Sequence, residues 1–200
     1  MATEVSICNQ ALLLLGANTV ISLDDDTTEA KLCKAHYQPI RDAVIEAHNW
    51  TFATRWMTLP ALATAPEGEY ANAFPLPSNV LRVIFVGDSY KHPVEEWRVE
   101  GNNIVMNQIS CKCQVIYQIV DPAKFSPLFV QALVSRLAAD MAIALTNSRS
   151  LMETHLTVYQ TKMKEAFTRD GIQGRSRKIT SKWANRARTA GPSSNLGPYV

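Results

Sequence analysis

Val44-Ile45-Glu46-Ala47-His48-Asn49-Trp50-Thr51-Phe52 is the stretch where this chain changes period. Before it, Cys33, Tyr37, Ile40, Val44 and Ala47 recur by fours and threes, the stripe of an amphipathic helix. After it the apolar residues alternate, as side chains on a strand do. The reverse change falls at Asp121-Pro122-Ala123-Lys124-Phe125-Ser126-Pro127-Leu128-Phe129-Val130, where helical spacing returns. The expected order is therefore helix, helix, sheet, helix, helix. That order predicts an α+β fold: an antiparallel bundle of about four helices over residues 1–50 and 122–171, an inserted antiparallel β-rich subdomain over 51–121, and an extended basic C-terminal tail over 172–200. A body of this kind carries two dissimilar faces joined rigidly, which suits a connector.

Working outward, the first helix is expected over residues 3–15. Thr3 serves as its N-cap, and Val5, Cys8, Leu12 and Leu15 form its stripe before Gly16 turns the chain. The second helix starts after Asp24-Asp25-Asp26, capped by one of these or by Thr27 or Thr28, and Pro39 is expected to kink it. Strands are expected over 52–59, over 80–86 with both faces buried, over 90–100 and 104–106 around the turn Gly101-Asn102-Asn103, and over 112–120. Ser126-Pro127 opens the third helix, with Leu133, Leu137, Met141 and Leu145 on its inner face and Arg136 four residues from Asp140. Ser150 and Glu153 read as the capping box of a fourth helix. Its stripe is Met152, Leu156, Tyr159, Met163 and Phe167, and its end lies at Gly171 and Gly174.

The 200 residues suffice for a real core. No apolar run approaches the roughly 20 residues that span a bilayer, and no basic segment precedes Ala11 to mark a signal peptide. Cys8, Cys33, Cys111 and Cys113 are scattered through helices and strands, which reads as buried free thiols in a reducing compartment. Charge is uneven. Arg175, Arg177, Lys178, Lys182, Arg186 and Arg188 meet no acidic residue beyond position 170, so the tail is +6 and the rest of the chain −4 within a net +2. Trp183 stands among these cations and reads as an anchor for a partner.

Chemistry-bearing patterns are sparse. Cys111 and Cys113 point to one face of a strand, but no second pair stands at ligand spacing, so no metal is expected. The three aspartates at 24–26 lack the calcium-loop pattern and fit helix capping. There is no nucleophile elbow and no glycine-rich phosphate loop, so no catalytic residue and no cofactor is assigned. Glu95 and Glu96 beside Trp97 are the nearest approach to an acid pair, although adjacent strand residues face opposite ways. Trp50, Trp56 and Trp97 are expected to pack the seam between helices and sheet.

Several stretches resemble the tail tubular protein A family, the head-to-tail adaptors of short-tailed bacteriophages. They are residues 40–53 closing in His48-Asn49-Trp50-Thr51-Phe52-Ala53, residues 75–84, 99–104 and 117–122, and above all residues 125–142. The resemblance runs through residues 1–170 in the same order and stops at the basic tail. It implies a structural virion protein without catalytic residues, assembled in the host cytoplasm. Such a protein forms a dodecameric ring between the portal and the tail nozzle, with double-stranded DNA passing through the bore without sequence specificity. Portal, tail proteins and further copies of itself are the implied partners, and no membrane is. From the residues themselves, Arg175, Arg177, Lys178, Lys182, Trp183, Arg186 and Arg188 are the expected partner-binding set. Two rivals stand beside this reading: a tail-associated cell-wall hydrolase using Glu95 and Glu96, and a nucleic-acid-binding protein acting through the basic tail.

Overall fold

The computed structural model describes residues 2–64 and 66–173. Among these residues the fold is mixed α+β, with four α-helices and two antiparallel sheets. Helices α1 (Glu4–Leu14) and α2 (Thr28–Glu46) precede the strands, and α3 (Pro127–Thr146) and α4 (Arg149–Gln173) follow them. The strands are β1 (Thr54–Leu59), β2 (Asn72–Pro75), β3 (Val80–Ser89), β4 (His92–Pro93), β5 (Trp97–Glu100), β6 (Asn103–Met106) and β7 (Cys111–Tyr117).

Local chemistry sets the helix ends. The Thr3 hydroxyl accepts from Ser6 N at 3.1 Å, and Ser6 Oγ accepts from Thr3 N at 2.8 Å, a reciprocal cap. Thr27 and Ser126 cap α2 and α3 without the reciprocal bond, each side chain accepting from the backbone three residues on. Gly16 takes the left-handed turn after α1 at φ +69°. Helix α2 runs through Pro39 without a break. Pro39 and Ala35 both face solvent, so the carbonyl that loses its intrahelical donor is on the wet side. The cap of α4 is Ser148, whose Oγ accepts from Leu151 N at 3.3 Å, and not the expected Ser150. The helix also passes Gly171 and continues to Gln173.

Helix α3 is the hub, packing against the other three helices. It is long and apolar enough by length and composition to cross a bilayer, contrary to the sequence expectation that no such stretch existed. Its apolarity is used inside the fold, where Phe129, Leu133, Leu137 and Met141 are wholly buried.

The four-stranded sheet has the order β1-β7-β3-β4 and the three-stranded sheet the order β2-β6-β5. They share a core of Leu59, Val86, Cys111, Cys113 and Val115 from the first sheet and Phe74, Ile104 and Met106 from the second. Strand β2 escaped the sequence reading. The expected strand over 90–100 is broken at residues 94–96, where the chain passes from one sheet to the other. Gly87, at φ +143°, has His92 O only 2.5 Å from where a Cβ would stand, so the β3–β4 pairing needs glycine there. Strand β3 meets apolar partners on both faces, Leu81 and Ile84 toward the helices and Val83 and Val86 toward the second sheet, but the expected burial of both faces is not met, since within 80–86 only Val86 is buried. Two register shifts against β7 leave most of them only half-buried, and Arg82 is exposed.

Of the three tryptophans expected at the helix–sheet seam, only Trp50 is there. It is wholly buried, and its Nε1–H donates to Val44 O at 3.0 Å. Its ring lies edge-on to Phe129 at 5.1 Å and beside Phe52 and Phe167 at 5.8 and 5.4 Å. Trp97 packs on the core between the sheets, and Trp56 is 40% exposed on the outer face of the larger sheet. Register explains the difference: Trp56 pairs with Gln114, one residue out of phase with the inward Met57 and Cys113. Trp50→Ala is expected to cost about 3–5 kcal/mol in urea unfolding, whereas Trp56→Ala should fall within about 1 kcal/mol of wild type.

Candidate functional site

The basic positions 175–188 and Trp183, which the sequence singled out for partner binding, lie outside the described residues. The described chain leads to them through the last turns of α4, and there a polar cluster fastens α4 to the joint between α2 and β1. Asp170 is 8% exposed. Its Oδ2 accepts from Thr51 N at 3.0 Å and from Thr51 Oγ1 at 3.2 Å, and it lies 3.8 Å from His48 Nε2. His48 stacks on Phe167 at 4.1 Å and meets Trp50 edge-on at 4.9 Å. Burial pulls the His48 imidazole below the ordinary histidine range, Asp170 pulls the other way, and Arg82 adds to the lowering.

The cluster is built by two periodicities meeting. Met163 and Phe167 are on the inner stripe of α4, and Asp170 is the next position on that stripe. The turn after α2 presents His48 and Trp50 to it, and Thr51 N, left without a helical acceptor, is satisfied by the carboxylate. Sequence reading passed over Asp170. The signal was a carboxylate continuing an apolar stripe, which has to find donors when buried.

The order of groups decides what the cluster does. Asp170 sits between the threonine and the histidine, whereas a nucleophilic relay needs the histidine between acid and hydroxyl. The arrangement holds and orients; it does not activate Thr51. A second polar group, around Arg41, ties α2 to its neighbours. Arg41 is 2% exposed, its Nε lies 2.9 Å from Asp42 Oδ1, and its Nη1 lies 3.9 Å from Glu4. Asp42 in turn accepts from Gln118 Nε2 at 2.7 Å, which ties α2 to the chain leaving β7.

The remaining sequence candidates separate. Cys111 and Cys113 both point into the core between the sheets, and Cys8 and Cys33 face each other between α1 and α2, with Cys33 Sγ 3.9 Å from Met141 Sδ. All four are free and buried. The Cys33 thiol together with burial raises Cys8, and the Cys113 thiol together with burial raises Cys111, which keeps these sulfurs protonated. Among the described residues no three His, Cys, Asp or Glu side chains gather as a metal ligand set. Asp24 pairs with Lys34 and Asp26 with Lys31, and Asp25 accepts from the backbone of Ile21 and Ser22. Glu95 and Glu96 are exposed on the connection between β4 and β5, outside any enclosure that would tune a general acid. A shallow groove of about 400 Å³ runs between α1, α3 and α4, floored by Leu13, Leu14, Val134 and Val158 with His155 and Lys162 at its side.

No protein-family model matches the chain, and no curated protein matches it.

Asp170→Ala is expected to destabilise the fold by about 1–3 kcal/mol, because Thr51 N then loses its buried acceptor. His48 sets a pH dependence. Its folded value lies below the unfolded value, so the unfolded chain takes up the proton first as pH falls. The stability that His48 contributes is complete above about 6.5 and is lost as pH falls from there through the lowered folded value. Urea midpoints between pH 7.5 and 5 should show this slope, and His48→Gln should flatten it.

Proposed function

We propose that the chain is a structural virion protein, a head-to-tail adaptor that forms a dodecameric ring between portal and tail. The observation that carries this reading is where the motif residues fall. Two of the stretches that resemble the tail tubular protein A adaptors, residues 40–53 and 125–142, pack on each other at one seam. Phe52 lies 5.8 Å from Phe125 and 5.1 Å from Phe129, and Trp50 lies 5.1 Å from Phe129. This seam joins the helices to the sheets, so two of the resembling stretches meet at the joint that would hold a two-faced wedge rigid.

In this reading the four helices act as an antiparallel bundle over residues 1–50 and 122–171, the β-subdomain over 51–121 is its insert, and the basic segment beyond α4 reaches the portal or an adjacent copy. Wedges related by one repeated lateral contact close into a ring. The tail nozzle binds one end of that ring, and double-stranded DNA passes through the bore without base contacts. No step of the role needs a catalytic group, a cofactor or a membrane.

Electron microscopy of the chain mixed with its portal tests the reading, and the expected result is ring density capping the portal. Removing residues 174–200, beyond the end of α4, is expected to weaken that attachment while leaving the melting transition of the fold in place. Attachment undiminished by the truncation would remove the tail from the mechanism, and absence of any portal complex with the full chain would remove the adaptor reading itself.

A further inference from the structure

The outer face of the four-stranded sheet is covered by helices only at one end. Ile116, Leu81 and Ile84 pack against the helical core, but the rows beyond them do not. Trp56, Gln114 and Phe85 form one cross-strand row by register, on the side away from the second sheet. Tyr90 completes it. Its ring lies 5.5 Å from Trp56 and 5.0 Å from Phe85, Trp56 and Phe85 are 5.8 Å apart, and the Tyr90 hydroxyl donates to Gln114 Oε1. The Gln114 side-chain oxygen is thereby paired, while Trp56 and Tyr90 stay 40% and 45% exposed. The flanking rows bring two exposed cations, Lys112 opposite Thr58 and Arg82 opposite Ile116. Among the described residues neither meets a carboxylate; Arg82 Nη2 donates instead to Asn49 Oδ1 at 2.6 Å.

The second sheet has the opposite character at one of its two edges. Strand β5 is that edge. Glu95 and Glu96 stand exposed just before it and Glu100 at its end, with Arg98 offsetting Glu100 alone at 3.9 Å. Val99 between them is 44% exposed. An edge strand also leaves one row of backbone donors and acceptors unpaired.

We propose that these are the two halves of one contact between copies of this chain: the aromatic, cationic face of one copy seats the acidic β5 edge of the next. Charge favours it in this direction only, since two aromatic faces would oppose cations and two β5 edges would oppose carboxylates. The rings supply large contact area that is already ordered, held by each other and by Gln114. The halves lie on different sheets of one sandwich, so a copy uses both at once and the contact propagates head to tail. Its closure into a ring rests on the adaptor reading; the contact itself does not.

A mixture of isotope-labelled and unlabelled full-length chain, treated with a carbodiimide that joins lysine directly to glutamate, tests the contact. The expected product is Lys112 joined to Glu95 or Glu96 in peptides that combine labelled and unlabelled halves. Two variants sharpen the result: Trp56→Ala with Lys112→Gln, and Glu95→Gln with Glu96→Gln, each checked for an unchanged melting transition. Each alone is expected to self-associate about tenfold more weakly, and their equimolar mixture to stop at a one-to-one pair, because one intact half remains on each. Absence of mixed cross-links in concentrated wild-type chain, or self-association unaltered in both variants, overturns the proposal. So does quenching of Trp56 by oligodeoxythymidine without any mixed cross-link, which would assign the face to single-stranded nucleic acid. Rings on the portal with Lys112 and Glu95 apart would remove this contact and leave the adaptor, whereas the cross-link without portal binding would keep the contact and remove the adaptor.

Discussion

The buried indole of Trp50 is the constraint on which the rest of the structure depends. Its N–H has to find an acceptor in a dry core, and it takes Val44 O in the last turns of α2. That bond folds the chain back on the helix it has just left, which fixes where α2 stops and where β1 starts. Phe52, Phe129 and Phe167 then gather round the ring from the joint, from α3 and from α4. Segments far apart in sequence thus share one wall. Asp170 adds a polar fastening a few ångströms away by taking the Thr51 amide. The direction in which α4 leaves the body is set by this aromatic and polar pair together.

Strand β7 carries the coupling onward. Ile116 packs into the helical core, while Cys111, Cys113 and Val115 pack into the core between the sheets. One strand with alternating side chains therefore belongs to two cores, and a slip of one residue would empty both. The same parity puts Trp56, Phe85 and Gln114 on the helix side of the sheet, beyond the point where the helices reach. An exposed aromatic row in a protein with so much buried aromatic surface is a consequence of register.

Much of the architecture was legible because it depends on short-range chemistry. The caps at Thr3 and Ser126, the turn at Gly16 and the hairpin around Gly101 each need only their immediate neighbours, while the α2 cap was narrowed to residues 24–28 and falls on Thr27. Arg136 and Asp140, one helical turn apart, do pair, at 3.1 Å. The misreadings involve partners distant in sequence. Strand β2 is four residues long with Pro75 at its end, and only pairing with β6 makes it a strand. Trp56 and Trp97 look like Trp50 in sequence, and register alone sends one outward and the other between the sheets. Asp170 continues an apolar stripe, and its purpose appears only where Thr51 is brought against it.

By itself the sequence determined the order of helix, helix, sheet, helix, helix, the ends of most helices and the sign of the charge on each segment. These follow from periods, caps and composition that act over one or two turns of chain. Only the tertiary structure decided that α3 is a buried hub, that β7 is shared by two cores and that Asp170 closes onto Thr51. It alone also set the aromatic row and the β5 edge on different sheets of the sandwich. The physical reason is that burial and register are properties of pairs of segments, and a pair does not exist until packing has chosen which surfaces meet.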